Sequence, residues 1–378
     1  MPAHRLSLIL PLLALPALIG CGSENAAPPP PPPLSEAALK VVIDKPGANR
    51  EKLARAVDDL FTRDDTSETR AVLVLKNGKV VAERYGPGYH DNTRFVSWSM
   101  AKTVTAVMIG MLVADGRLRL DEGVPIPAWQ RPGDPRGEIT LRQLLQMRSG
   151  LKHVETSDPP YEADTVRMLA LDGRDNMAGY AEAQPLEAEP GSKFEYSSAT
   201  TVILSDLAAR VLTQSQDPAE RARVVNDYLK TRLFEPLGMK SMVPEFDASG
   251  TLIGGSLIHG TLRDWGRFGE FLRAGGAVKG AQLVPSAWID LMTEPSPANK
   301  GYGAQTWLNW PQPDGTRMWE GLSASTFSMN GHLGQYVVVD RTRAVTVVRL
   351  GKTDDGRHGP IRAGIVRVAQ RFAKGGTR

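Results

Sequence analysis

Several signatures are missing from this chain. It holds one cysteine in 378 residues, so no disulfide can form within it. Its six histidines (His4, His90, His153, His259, His332 and His358) never fall as H-x-x-x-H and have no cysteine cluster beside them. That leaves no metal-ligand pattern, and no metal or cofactor is expected. G-x-S-x-G is absent, and with it the strand–turn–helix elbow that presents a nucleophilic serine in one large class of hydrolases. Charge is balanced, with 45 Lys and Arg against 42 Asp and Glu, and no block of one sign stands out, so no nucleic-acid partner is expected. Internal repeats are absent too. What remains is 41% hydrophobic and 23% charged, an ordinary soluble composition, in a chain long enough for two compact domains or one large one.

The beginning is exceptional. MPAHRLSLILPLLALPALIG, residues 1–20, has a short basic start, a leucine-rich centre and a small-residue end. That is the pattern of a secretory signal peptide, too short for a comfortable membrane span. The lone cysteine follows at once. LIGC, residues 18–21, resembles a bacterial lipobox, in which the cysteine is lipidated and becomes the mature N-terminus. One acyl chain binds a membrane marginally and two or three hold firmly. Residues 21–36 then read as a lipidated start and a linker, with six prolines at 28–33 favouring a semi-rigid polyproline II spacer. The expectation is a bacterial envelope protein, lipid-anchored through Cys21 and facing the periplasm. Gly22 stands where an aspartate often retains lipoproteins at the inner membrane, so the outer membrane is preferred.

The folded body is expected over residues 37–378. NREKLARAVDDLFTRDD, residues 49–65, spaces Leu53, Val57 and Leu60 as one helical face. AVLVLKNGKVVAERYG reads as two strands around Asn77-Gly78, a strong hairpin signal. A helix is expected from 99 to about 115, stopped by Gly116. ITLRQLLQMRSG and TTVILSDLAARVL read as helices, YVVVDRTRAVTVVRLG as a second hairpin, and GPIRAGIVRVAQRFAKG as a C-terminal amphipathic helix. Strands and helices at both ends with helices between predict an α/β (α+β) fold: an antiparallel sheet flanked by N- and C-terminal helices. A mostly helical part over about 106–244 interrupts an α/β part over about 37–105 and 245–378, and the cleft between them is the expected site.

The chemistry centres on SWSMAK, residues 97–102. A serine hydroxyl is a poor nucleophile at neutral pH and needs a base beside it. Helical spacing puts Ser99 and Lys102 on one face, and a lysine serves as a base once its pKa is lowered. The bland alternative makes Ser99 a helix cap and Lys102 a solvated side chain. A second S-x-x-K, Ser149 to Lys152, follows a helix and contains Gly150, so it reads as a helix end and turn.

Further on stand Tyr196-Ser197-Ser198, leading into a helix, and His332-Leu333-Gly334, leading into a strand. Serine-lysine, tyrosine-x-serine and histidine-x-glycine in that order resemble the serine β-lactamase and penicillin-binding-protein superfamily. The closer likeness is to class C β-lactamase-like hydrolases of the 6-aminohexanoate-dimer hydrolase and esterase branch. It is carried by VSWSMAKTVTAVMIGMLVADGRL, ITLRQLLQMRSGL, GTLRDWGRFGEFLRAGG and GHLGQYVVV. The resemblance implies an acyl-enzyme on Ser99, with Lys102 holding and helping to deprotonate it. Tyr196 becomes the proton shuttle, its pKa lowered by Lys102. The backbone N–H groups of Ser99 and Gln335 form the oxyanion hole, and Ser198, His332 and Gly334 contact substrate. Many relatives carry asparagine where this chain has Ser198, and lysine where it has His332. That favours a small ester or amide substrate over a β-lactam. Arg349 is a further candidate for a substrate carboxylate. A β-lactamase or D,D-peptidase, and a non-catalytic envelope binding protein, remain the alternative readings.

Overall fold

The structure is a computed structural model, described here for residues 33–354 and 356–375. The signal-like segment 1–20, Cys21 and most of the proline run lie outside the described residues. Helices α1 (Glu36–Lys40) and α2 (Arg50–Thr62) precede strands β1 (Glu68–Lys76), β2 (Lys79–Tyr85) and β3 (Arg94–Val96). A 3-10 turn at Trp98–Met100 runs into α3 (Ala101–Ala114). Then come α4 (Leu141–Leu145), α5 (Asp164–Ala170), α6 (Met177–Glu182), α7 (Ser198–Leu212), α8 (Pro218–Leu229) and α9 (Glu235–Leu237). The chain returns through β4 (Val243–Pro244), β5 (Ile258–Thr261), α10 (Leu262–Arg273), β6 (Ala277–Val278), β7 (Ala281–Gln282) and α11 (Ser286–Thr293). It ends with β8 (Trp307–Leu308), β9 (Phe327–Gly331), β10 (Gln335–Asp340), β11 (Val345–Lys352) and α12 (His358–Ala369).

The main sheet has six antiparallel strands in the order β2-β1-β11-β10-β9-β8. Both chain ends therefore contribute to one sheet, with β1 paired to β11 in the register Leu73↔Val348. Period-two alternation sorts its side chains between two cores. Ala71, Leu73, Leu75, Val337, Val339 and Val348 enter one core, beneath Trp265, Phe268 and Leu272 of α10. Val72, Val74, Val338, Val345 and Val347 enter the other, beneath Leu53, Val57 and Leu60 of α2 and Ile361 and Ile365 of α12. Burying each such large aliphatic contributes about 1.5–3 kcal/mol. α10 lies close on the sheet because Gly266 and Gly269 face it. A Cβ on Gly266 would collide with Leu73, and one on Gly269 with Val337 and Thr346.

The Asn77-Gly78 hairpin forms as expected, with both residues at positive φ (51° and 77°), the requirement of a type I′ turn. The helix expected from residue 99 starts later, because the 3-10 turn occupies Trp98–Met100. α3 is buried from Ala101 through Leu112, and α7 from Ser198 through Ala209. Helices apolar all round belong in a core, and these two lie in the same one. No helix among the described residues is long and apolar enough to cross a membrane.

Candidate active site

Ser99 and Ser198 stand at the beginnings of the two buried helices, and the fold brings these beginnings together. Ser99 sits in the 3-10 turn, half-buried, ahead of α3. It does not cap α3: the capping position is Met100, with no side-chain cap bond. The residue before Ser99 is held in left-handed backbone, with Trp98 at φ 45°. Such a conformation in a residue other than glycine costs on the order of 1–3 kcal/mol and persists where its surroundings over-determine it. Here Ser97, fully buried, supplies the constraint. Its hydroxyl donates to Trp98 O (2.9 Å) and accepts from Ile258 N (3.1 Å), while Ser97 N donates to Ile258 O (3.0 Å).

Lys102 is 1% exposed. Its ammonium donates to Ser99 Oγ (3.1 Å), Ser198 Oγ (2.9 Å) and the carbonyl oxygen of Gly255 (2.7 Å). Burial pushes the lysine down to about 8, against a smaller upward pull from Glu155. Gly255 fits because a Cβ there would crowd the Ser198 backbone.

Glu155 was not singled out in the sequence. It lies on the loop after α4, and the Ser198 backbone N–H (2.8 Å) and hydroxyl (2.7 Å) both donate to its carboxylate. His153 Nε2 (2.7 Å) and the Thr165 hydroxyl (2.9 Å) meet the same carboxylate. Burial alone would raise this carboxyl. The hydrogen bond from His153, the charge of Lys102 and the bond from Ser198 outweigh it and hold the group at about 2. Glu155 stands shortly after Lys152 of the second S-x-x-K, and nothing in the local pattern ties it to Lys102 or Ser198.

Tyr196 completes the cluster. Lys102 Nζ lies 5.0 Å from the centre of its ring, and its hydroxyl interacts with Ser99. Trp307 packs at 5.3 Å and Tyr302 edge-on at 5.9 Å, so the ring is clamped by two aromatics. The expected lowering of its pKa is not found. Burial, then the charge of Glu155, push the phenol well above its ordinary value, and the Ser99 contact offsets this only partly.

The third motif lies beside the first. His332–Gly334 is a 3-10 turn joining β9 to β10. Gly331 lies so close to Ser97 O that a Cβ would collide with it, which brings the turn and the start of β10 against the Ser99 segment. His332 is exposed and packs edge-on against Trp98 at 5.2 Å. Gln335, at the first position of β10, is 3% exposed. Its side chain is a strut, donating to Gly351 O (2.6 Å) and accepting from Gly351 N (3.0 Å).

Three placements differ from the expectation. Ser198 is 1% exposed and its hydroxyl is occupied by Lys102 and Glu155, so it supports the lysine and presents nothing to a substrate. Gly334 (φ 77°) is needed on its inner side, where a Cβ would strike Thr353 and Arg349. Arg349, fully buried, donates to Thr69 Oγ1 (3.1 Å), Gly334 O (2.9 Å), Thr353 Oγ1 (2.7 Å) and Glu68 O (2.9 Å), which leaves it no part in binding a carboxylate. In the second S-x-x-K, the Ser149 hydroxyl accepts from Leu151 N (3.2 Å) and Lys152 is exposed, a loop arrangement with no partnership between the two.

A half-buried serine against a buried lysine, beside a tyrosine in this α/β fold with its antiparallel sheet, defines a serine hydrolase. The family model for Beta-lactamase matches residues 57–370, and the chain belongs to that family. It is 24% identical over 326 residues to the 6-aminohexanoate-dimer hydrolase of Paenarthrobacter ureafaciens, covering 82% of this chain and 79% of that one. A family VIII carboxylesterase structure superposes with TM-score 0.62 at 16% identity, covering 85% of this chain and 96% of that one. A penicillin-binding protein homologue from Caulobacter crescentus superposes with TM-score 0.59 at 19% identity, covering 87% and 98%.

Proposed function

We propose that this serine hydrolase cleaves an ester or amide bond of a small substrate through an acyl-enzyme on Ser99. The observation that carries the reading is the 3.1 Å contact between Ser99 Oγ and a fully buried Lys102 pushed down to about 8. A lysine so placed is neutral in a useful fraction of molecules near neutral pH, as a general base must be. Neutral Lys102 takes the Ser99 proton as Oγ attacks the carbonyl carbon. The oxyanion is met by the backbone N–H groups of Ser99 and Gln335. Tyr196, kept protonated by its surroundings, gives its proton to the departing alcohol or amine and regains one from the Lys102 ammonium. Water then attacks the acyl-Ser99 carbonyl with Lys102 again as base, the Lys102 ammonium returns that proton to Ser99 Oγ as it departs, and the acid leaves. Exposed His332 and half-buried Trp98 form a rim beside Ser99, suited to substrate selection. The names of the amide-cleaving and ester-cleaving relatives support this class of substrate.

The test is a hydrolysis screen over p-nitrophenyl esters, linear amides and nitrocefin, with fluorophosphonate labelling of the parent and of Ser99→Ala. Ester or amide turnover and labelling that both vanish in Ser99→Ala support the reading. Turnover that survives in Ser99→Ala overturns it, and a dominant nitrocefin rate moves the substrate class to β-lactams. The envelope location rests on residues 1–21. Partition of the full chain into detergent, lost in Cys21→Ser, supports a lipid anchor; partition into water overturns it.

A further inference from the structure

The three partners of Lys102 differ in what they can accept and give. Gly255 O has no proton, so it only accepts. Ser198 has one hydroxyl proton, and that proton is given to Glu155 Oε1 (2.7 Å), so towards Lys102 Ser198 also only accepts (2.9 Å). Ser99 is the one neighbour left with a proton to give. A neutral lysine has two N–H groups and one lone pair. Its two N–H groups are therefore claimed by Gly255 and Ser198, and the lone pair points at the Ser99 hydroxyl.

We propose that Glu155 is a positioning residue that fixes the direction of the Ser198 hydroxyl and thereby aims the lone pair of Lys102 at Ser99. The proposal deepens the acyl-enzyme reading and rests on it. A serine beside the lysine is a hazard without such a partner, because its own proton can turn to the amine and occupy the lone pair. Glu155 is well built to prevent this. Its Oε2 takes the Ser198 backbone N–H (2.8 Å), His153 Nε2 (2.7 Å) and the Thr165 hydroxyl (2.9 Å), which fixes the carboxylate and leaves Oε1 for the Ser198 hydroxyl alone. His153 carries its proton on Nε2 here, since a carboxylate can only accept.

The polarity argument predicts what an amide does at this position. In Glu155→Gln, three donors converge where Oε2 stood, so the amide oxygen settles there. The NH2 then faces Ser198 Oγ as a donor. The Ser198 hydroxyl turns to Lys102 and the lone pair is lost to Ser99. The charged and titratable groups around Lys102 are Glu155, with His153 behind it, and Tyr196, with Tyr302 behind it. Removing the carboxylate withdraws the one nearby negative charge that favours the ammonium, so the acid limb of activity moves to lower pH even as the rate falls.

The experiment is a double-mutant cycle on the full chain with p-nitrophenyl butyrate as probe, comparing parent, Glu155→Gln, Ser198→Ala and the pair across about pH 6–10. Glu155→Gln is expected to lower kcat/KM roughly 10- to 100-fold, the scale of a misdirected catalytic group, with its acid limb shifted down. In the Ser198→Ala background, where no hydroxyl can compete, the same substitution is expected to cost no more than about 3-fold. An equal loss in both backgrounds, or an acid limb that stays put, assigns Glu155 to loop structure and overturns the proposal. Should Glu155→Gln fail to fold, Glu155→Asp keeps the charge and withdraws it by one methylene; a parent-like rate there overturns the proposal equally. If Ser99→Ala still turns over the ester, the acyl-enzyme reading itself fails. If Ser99→Ala is dead and the cycle shows no coupling, only the role of Glu155 fails.

Discussion

Two buried basic side chains, one on α3 and one on β11, differ in a way that separates chemistry from architecture. Lys102 and Arg349 are each essentially inaccessible, at 1% and 0% exposed, and burial lowers both. Arg349 falls to about 10 and so remains a cation at every physiological pH. It spends that charge on neutral acceptors, two backbone carbonyls and two threonine hydroxyls, and through Gly334 O it holds the turn that carries Gln335. Lys102 falls to about 8, inside the working range, and one of its three partners is a reactive hydroxyl. Similar burial thus yields a fixed strut in one place and an exchangeable proton in the other. The difference lies in the starting pKa of the two side chains and in the reactive hydroxyl that only Lys102 meets.

The sharpest way to break the contrast is to remove each cation in turn. Lys102→Met is expected to cut ester turnover by about 10⁴-fold or more, the scale of losing a member of a nucleophile–base unit, while the folded spectrum by circular dichroism persists. Turnover within an order of magnitude of the parent would remove Lys102 from the chemistry. Tyr196→Phe deletes one hydroxyl and little packing. Its rate is expected to fall roughly 10²- to 10⁴-fold with little change in melting temperature, as for loss of a general acid. Near-normal turnover would leave Lys102 as the sole proton carrier.

Arg349→Met should act on the other side of the comparison. It strands the carbonyls of Gly334 and Glu68, and leaving such groups unpaired costs about 1–3 kcal/mol each. A clearly lowered denaturation midpoint is expected, with the pH midpoint of the surviving activity unchanged; a moved pH midpoint would give Arg349 an electrostatic share in the reaction. In the parent, activity should climb with pH through about 8 as Lys102 loses its proton, and then level. A profile flat across pH 7–9 contradicts a lysine base there.

The smallest expected effect concerns acid stability. Glu155 is held at about 2 in the folded protein against an ordinary 4.5. Because the folded value is the lower one, its contribution is present above pH 4.5 and is lost as pH falls toward 2. The melting temperatures of parent and Glu155→Gln should therefore converge over that interval. A constant gap between them means that the carboxylate's charge adds nothing to folding.

Local rules made much of this protein legible. Asn77-Gly78 specified its turn because both residues tolerate positive φ, and the spacing of Leu53, Val57 and Leu60 specified a buried helix face. The Ser99–Lys102 spacing spans one turn of backbone, so its proximity was implied before any folding. The expected antiparallel sheet, with helices at both ends and helices inserted between, is the architecture observed. The companions of Lys102 were less accessible. Ser198 lies 96 positions away and Gly255 lies 153 away, while Glu155 is 43 positions from Ser198, and no periodicity links such separations.

The amino-acid sequence by itself determined the elements, the order of the three motifs and the pairing of a serine with a lysine on one face, because each depends on backbone preferences and side-chain period over a few residues. Only the tertiary structure decided what those groups are worth. Packing α3 against α7 removed Lys102 from water and lowered its pKa. The same burial, with Glu155 nearby, raised Tyr196 where the motif suggested a lowered phenol. It also turned Ser198 inward to the lysine and fixed Arg349 as a strut. Desolvation and hydrogen-bond direction depend on every atom around a group, and those atoms come from parts of the chain that meet only when it folds.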